Sequence, residues 1–434
     1  MLGFTSRVII LIVKFKSLAM KRLILLILSV CLIIVQASTA AAKENHRSYS
    51  ALFDEITDLV EENFYNPDQV AKDFPVIKAD YLMKLQNVHS QQAFSSLVNA
   101  MLGELNASHT YYLTPDDYEY YQLCALFSKI PEIGELFDGK EVLYPTVGIL
   151  TQEIEKRLYI ASVLAGSVAE KAGLLKGDEI LSVNAEPYSP IASLRSYVGE
   201  DVVFEIRRKQ MGEPFTIAMK PVLVNPKKEM LEAQKSSVRI IERNKKRIGY
   251  IHIYSYAGYE YQQELLNTIQ WGQLKEADAL IIDLRYGMGG AAPSYLNIFN
   301  TNIPVLKMHH RDGAETVFDS QWRKKAVYLV DGSSRSGKEI LAYGARRYEQ
   351  VKVIGERTAG QVLGGRLFPL SNGAVLFLAV QSALVDGVDL EGMGVSPDIE
   401  VPFDVRYCAG QDAQLEKALE YLVEQLSTQA TRDL

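Results

Sequence analysis

Ala279-Leu280-Ile281-Ile282-Asp283-Leu284-Arg285-Tyr286-Gly287-Met288-Gly289-Gly290 decides how the second half of the chain is read. Its apolar start does not alternate with polar residues, as expected of a strand covered on both faces inside a helix-sandwiched sheet. The strand runs out at an arginine. The glycines after it let backbone approach a bound molecule, because no Cβ intervenes. Taken singly, the segment reads equally well as a plain strand-to-helix turn.

Working outward, Gly249-Tyr250-Ile251-His252-Ile253 reads as a strand and Tyr261 to Trp271 as a helix. Ala326-Val327-Tyr328-Leu329-Val330, Lys352-Val353-Ile354 and Ala374-Val375-Leu376-Phe377-Leu378 give further strands, with a helix from about Gly337 to Arg347. This alternation implies an α/β layer structure. Between two of its elements lies Asp331-Gly332-Ser333-Ser334-Arg335-Ser336-Gly337-Lys338-Glu339, where a buried strand ends and a helix opens near Ser336. Free N–H groups at a helix start face a partial positive field, so a nucleophile there has an oxyanion site beside it. Ser336-x-x-Glu339 is also a capping box, and that reading stands beside the first. Gly355-Glu356-Arg357-Thr358-Ala359-Gly360-Gln361 and Glu391-Gly392-Met393-Gly394-Val395-Ser396-Pro397-Asp398 are loops that singly look like surface turns.

The rest of the 434 residues divides by composition. Met20-Lys21-Arg22, an apolar run to Val35 and Ala40-Ala41-Ala42 have the three parts of a secretory signal peptide over residues 1–42. An uncleaved membrane anchor is the alternative, and either implies an exported protein of the periplasm or cell envelope. Residues 43–140 look helical, broken by the polar loop Asn106-Ala107-Ser108-His109-Thr110. From 144 to 223 short β-type runs flank Gly166-Ser167-Val168-Ala169-Glu170-Lys171-Ala172-Gly173-Leu174 and Lys176-Gly177-Asp178-Glu179-Ile180-Leu181. A Lys- and Glu-rich linker is expected over 225–246, and a C-terminal helix over 406–434.

A net charge of −7 leaves no electrostatic footprint for nucleic acid. Two cysteines of the expected mature chain, Cys124 and Cys408, permit one disulfide without requiring it, and the scattered histidines give no metal-ligand spacing. With neither metal nor cofactor indicated, the chemistry falls to side chains.

Residues 144–223 resemble a PDZ domain of the kind found in bacterial envelope proteases. That resemblance places peptide capture at Val147-Gly148-Ile149-Leu150, through backbone N–H groups and strand addition. Residues 247–405 resemble the catalytic domain of the C-terminal processing (tail-specific) peptidases and the tricorn core, on Asp283-Leu284-Arg285…Gly289-Gly290 and Ser334-Arg335-Ser336-Gly337-Lys338-Glu339. The resemblance implies a multidomain chain with a ClpP/crotonase-like α/β domain, Ser336 as nucleophile, and Gly337 with Gly289 and Gly290 as oxyanion donors.

One branch of that family draws its base from a Thr-Phe-Gly-Lys motif. Here the position reads Thr358-Ala359-Gly360-Gln361, and glutamine takes no proton. The tricorn-like branch uses a Ser-His pair, matched by Ser108-His109, with a further acid matched by Glu391. The implied activity is a serine peptidase acting on unfolded or C-terminally recognised polypeptides. The rival is a catalytically degenerate PDZ adaptor, favoured by Arg335 and Lys338 where small residues are expected; a lipid-carrying relative of the fold is a third reading.

Overall fold

A computed structural model of the chain describes residues 48–432, so the signal-peptide reading lies outside the described residues. The described chain forms two compact units, the first ending at Leu105 and the second built on Asn106 onward, with the short piece Asn63–Asn66 added to it. The division therefore falls inside the helical region expected over 43–140.

The first unit holds helices α1 (48–63), α2 (Pro67–Lys72), α3 (Phe74–Leu85) and α4 (Gln91–Gly103). Phe53, Ile56, Phe74, Phe94, Val98 and Met101 are fully buried there. Ser90 starts α4 by accepting the Ala93 N–H at 3.1 Å, a side-chain N-cap.

The second unit opens with β1 (Tyr111–Leu113), α5 (Tyr118–Leu126), α6 (Pro131–Glu135) and β2 (Tyr144–Thr146). A β-rich module follows: β3 (Ile149–Ile154), β4 (Arg157–Val163), α7 (Val168–Ala172), β5 (Glu179–Val183), α8 (Ala192–Arg195), β6 (Val202–Arg207) and β7 (Phe215–Met219). Its antiparallel sheet runs β3-β4-β5-β6-β7, so β3 is an edge strand. Ile160, Ala169, Val202, Phe204 and Ile206 make its core. Gly173 ends α7 at φ 85°, the left-handed cap that the Ala172-Gly173-Leu174 sequence promises. β8 (Val222–Val224) returns to pair with β2.

The linker expected over 225–246 is instead ordered structure, and this corrects the sequence reading. Pro226–Ser237 is helix α9, capped by Asn225 and burying Met230, Ala233 and Gln234, and Arg239–Arg243 is strand β9 of the following sheet. A helix whose outer face is Lys and Glu carries little apolar signal, so composition alone mistook it for a tether.

The α/β region continues with β10 (Lys246–His252), α10 (Tyr259–Gln270), β11 (Ala279–Asp283), β12 (Leu306–His309), β13 (Glu315–Phe318), β14 (Ala326–Val330) and α11 (Gly337–Ala345). Then come β15 (Val351–Gly355), β16 (Gly364–Pro369), β17 (Val375–Gln381), the short β18 (Leu384–Val385) and β19 (Val388–Asp389), β20 (Ile399–Glu400) and α12 (Ala413–Arg432). The main sheet runs β20-β15-β14-β11-β10-β9, parallel except for β9.

β11 explains why its sequence does not alternate. Leu280 and Ile282 face a core shared with Leu265 of α10 and Leu341 of α11, whereas Ala279 and Ile281 face Ala418, Leu419 and Leu422 of α12. Both faces are dry, and each buried aliphatic side chain contributes roughly 1.5–3 kcal/mol. Strands β1, β17 and β16 form a separate antiparallel sheet, in which β1 pairs with β17, and β12-β13 and β18-β19 are two-stranded ribbons.

Candidate active site

Loops following the carboxyl ends of the parallel strands β10, β11, β14 and β15 meet on one side of the main sheet, the usual place for a ligand crevice in open α/β sheets. Ser336 stands at the N-cap of α11 with φ 58° and ψ −128°, whereas an ordinary N-cap is extended. A non-glycine residue held there is strained, as nucleophiles on sharp strand-to-helix turns are. Its N–H donates to Glu339 Oε2 (3.1 Å) and to the Gln361 carbonyl (2.9 Å). Cap and nucleophile are therefore not exclusive readings: Glu339 takes the Ser336 N–H as a capping-box acid does, while its own N–H goes to the Ser336 carbonyl (2.8 Å).

Glu339 does more than cap. Buried completely, its carboxylate accepts from Thr358 Oγ1 (2.6 Å), Gly360 N–H (2.7 Å), Gln361 N–H (2.8 Å) and Ser336 N–H (3.1 Å). Burial raises its pKa and these bonds oppose that rise. It ties the loop after β15 to the Ser336 turn.

Gly289 lies against that turn: a Cβ added there would come 2.5 Å from Ser336 Cβ. At Gly337 an added Cβ would come 2.1 Å from Ala291 N. Only glycine permits this approach. Among the described residues, the N–H groups of Gly289, Gly290 and Gly337 have no acceptor, so three donors are open beside Ser336.

Ser108, His109 and Glu391 meet although 283 residues separate Ser108 from Glu391. Glu391 Oε1 accepts the Ser108 N–H (2.8 Å), its Oε2 accepts the Ser108 hydroxyl (3.0 Å), and Ser108 Oγ lies 2.9 Å from His109 Nδ1. The Glu391 carboxylate thus acts on the imidazole through Ser108. The pairing of β1 with β17 carries this loop into place.

Gln361-Val362 joins the two halves, because the Gln361 carbonyl takes the Ser336 N–H while the Val362 N–H reaches Glu391 Oε2 at 2.8 Å. In this conformation, among the described residues, no hydrogen bond joins the Ser336 hydroxyl to His109; Nδ1 is engaged by Ser108, which leaves Nε2. Burial lowers the imidazole to about 4, with the Arg335 charge acting the same way and Glu391 and Glu119 opposing. At neutral pH the ring is thus in its neutral, proton-accepting form, though a weaker base than an exposed histidine.

Three groups support the site in ways the sequence did not reveal. Arg335 is neutralised by Glu119, whose Oε1 accepts from Arg335 Nη2 (2.7 Å) and from the Tyr111 hydroxyl (2.9 Å). Arg285 is buried between Asp283 and Asp412, donating from Nε to Asp283 Oδ1 (2.9 Å) and from Nη1 to Asp412 Oδ1 (2.9 Å). Burial pushes the Asp283 carboxyl up, but the guanidinium outweighs it and holds the group well below the usual carboxylate range. The third is Lys338, buried directly behind the Ser336 turn. A charged residue where a family motif wants a small one was the available signal for Arg335 and Lys338. None of the described residues form a metal-binding cluster of three or more His, Cys, Asp or Glu. Cys124 and Cys408 are both free thiols.

Residues 247–401 match peptidase family S41, and residues 159–208 match a PDZ domain. The chain is a serine peptidase, with its S41 domain over residues 247–401. It is 23% identical over 348 residues to the carboxy-terminal processing protease CtpA of Bacillus subtilis, covering 77% of this chain and 68% of that protein. To the carboxyl-terminal-processing protease of Synechocystis it is 25% identical over 344 residues, covering 73% and 75%. The crystal structure of the tricorn protease superposes with a TM-score of 0.53 at 19% identity, over 88% of this chain and 37% of that one, a likeness of fold.

In this S41 peptidase the PDZ domain keeps β3 as an open edge. Val147 and Ile149 are buried in its core, and Leu150 and Thr151 line a cavity of about 300 Å³ with Tyr118 and Leu194. The Gly148 N–H already donates to Thr146 Oγ1 at 2.8 Å. A carboxylate arriving at this loop would have to displace that hydroxyl.

Proposed function

We propose that this S41 peptidase belongs with the Ser-His branch and cleaves peptide bonds by acyl transfer, with Ser336 as nucleophile and His109 as general base. The observation that carries the reading is the strained Ser336 turn, set beside three open N–H donors and bridged by Gln361-Val362 to the Glu391-Ser108-His109 chain. Ser336 Oγ attacks the substrate carbonyl carbon while His109 Nε2 takes its proton. The oxyanion is held by N–H groups of Gly337 and the Gly289-Gly290 turn. His109 then gives the proton to the leaving amine, and water releases the acyl group by the same steps in reverse. Ser108 and Glu391 are positioning residues that fix the imidazole, as third groups do in triads. Catalytic hydrogen bonds commonly tighten only with substrate in place, which is consistent with an unjoined Ser336 and His109.

Gln361 supports the same branch, since it offers no titratable group where a lysine base would stand. The two cationic residues that favoured an adaptor are absorbed by partners, Arg335 by Glu119 and Lys338 by backbone carbonyls. The substrates we propose are unfolded or C-terminally recognised polypeptides, in keeping with the carboxy-terminal processing proteases among the relatives, presented along β3 of the PDZ domain. We also read the α/β region as ClpP/crotonase-like, and residues 1–42 as an export signal or anchor for the cell envelope. No described helix is long and apolar enough to cross a membrane.

Hydrolysis of an unstructured peptide tests the assignment. Ser336→Ala and His109→Ala should each abolish it while leaving the unfolding temperature near that of the parent, and a fluorophosphonate should label Ser336. Full activity in either variant removes the assignment.

A further inference from the structure

Lys338 is a fully buried cationic side chain beside the active site that the mechanism does not use. It has no exposed surface, lies two residues past Ser336 on α11, and reaches the segments that follow β10 and β11. Side chains two apart on a helix point in different directions, so Lys338 does not face the Ser336 hydroxyl. Its Nζ instead donates to two main-chain carbonyls, Tyr254 (3.3 Å) and Tyr286.

Those carbonyls flank the oxyanion turn. Tyr286 has φ 58° and Gly287 φ 73°, so the chain reverses sharply there. A Cβ at Gly287 would overlap the Tyr254 carbonyl at 1.8 Å, which shows how tightly the two segments are pressed together. Tyr254 O also accepts the Met288 N–H (2.8 Å), and Tyr256 N–H donates to Gly289 O (3.0 Å). The Gly289-Gly290 turn is thus laced to the segment after β10, and the lysine from the nucleophile's own helix grips both strands of the lacing.

Burying an ammonium is costly, and a hydrophobic side chain would fill the same volume without that cost. The charges facing Lys338 are Asp283 on β11 and Asp331 after β14, which favour the ammonium, and Arg335 beside it, which opposes it. Burial is the largest influence and holds the group down to about 7. A costly buried donor whose two bonds go to the carbonyls flanking the oxyanion turn points to a purpose in that turn.

We propose that Lys338 is a positioning residue for the oxyanion site: by clasping the Tyr254 and Tyr286 carbonyls it fixes the Gly289-Gly290 turn against Ser336 and Gly337. The proposal rests on Ser336 being the nucleophile. Its chemistry adds no proton-transfer step. Nζ holds the backbone, and the backbone N–H groups meet the developing charge.

The test uses the full chain, with kcat, KM, their pH profiles and the unfolding temperature measured on one unstructured fluorogenic peptide for the parent, Lys338→Met, Lys338→Gln and Ser336→Ala. Methionine keeps the volume and loses every donor; glutamine keeps two N–H donors on a shorter arm. Lys338→Met should lower kcat by about 30- to 300-fold, in the range for loss of an oxyanion donor, with KM within about threefold. Lys338→Gln should recover about a fifth or more of parental kcat, with the acid limb of the profile unmoved in both. If the methionine variant does not fold, the glutamine variant is read alone against the parent, and a kcat loss of about threefold to fivefold at unchanged KM supports the proposal.

Unchanged kcat in the lysine variants of an active parent removes the proposal and leaves the nucleophile in place. A methionine variant as inactive as Ser336→Ala, with an ionisation lost from its profile, would make Lys338 a proton carrier and overturn it too. An inert parent removes the nucleophile reading and this proposal with it.

Discussion

His109 is held where its charged form is disfavoured, and that sets a pH dependence. An ordinary histidine titrates near 6.5, but burial and the Arg335 guanidinium lower this one to about 4. The base form is the neutral ring, so kcat/KM should stay level through pH 6 and fall only as the pH approaches 4. A pH profile of peptide hydrolysis checks this, and an acid limb near 6.5 would contradict the burial of the ring. Glu391 has the opposite influence, since its charge raises the imidazole. Glu391→Gln should therefore move the acid limb lower still. It should also reduce kcat by about tenfold or more, because Ser108 loses the carboxylate that orients it against Nδ1.

Among the elements, the turns matter more than the strands they follow. Gly289→Ala would put a methyl 2.5 Å from Ser336 Cβ and 2.8 Å from the Arg335 carbonyl, so the two turns must part. We expect kcat to fall by about 100-fold or more with the unfolding temperature lowered only slightly, as for a displaced oxyanion donor. Glu339→Gln places an N–H₂ against donors from Ser336, Thr358, Gly360 and Gln361, and should cost roughly 2–4 kcal/mol of stability, measurable by denaturant titration.

These turns were legible in the sequence because each follows an apolar strand and carries glycines in a recognisable order. The elements that assemble them were not. β1 is only Tyr111-Tyr112-Leu113, too short to announce a strand, yet its pairing with β17 delivers Ser108 and His109. α9 was hidden by its charged outer face. Lys338 counted in the sequence toward a degenerate adaptor, because only the completed fold puts backbone carbonyls around it. Glu391 was legible as an acid, but whether it reached Ser108 or the imidazole depended on coordinates.

Across the whole second unit, the segment between β20 and α12 fastens the PDZ domain to the peptidase. Tyr407 N–H donates to Gly177 O (2.9 Å), Gly410 N–H to Lys176 O (2.9 Å), and the Tyr407 hydroxyl to Glu179 Oε2 (2.7 Å). Lys176 pairs with Asp412 (3.3 Å), and Asp412 with Arg285 (2.8 Å), so a line of charge runs from the PDZ turn to the strand end that starts the oxyanion loop. Gly177 is the tight point. It has φ 89°, and a Cβ there would come 2.5 Å from the Val405 carbonyl and 2.6 Å from Cys408 N. Gly173, a few residues away, has φ 85° but open space where its Cβ would go. The pair separates backbone strain from docking. Gly173→Ala should cost only the left-handed penalty, about 1–2 kcal/mol, whereas Gly177→Ala adds a clash with main chain that no rotamer relieves. We therefore expect Gly177→Ala to lower the unfolding temperature further and to open residues 403–410 to limited proteolysis. If the two variants lose equal stability and are cut alike, the segment does not fasten the PDZ domain, and the charge line through Asp412 serves the peptidase alone.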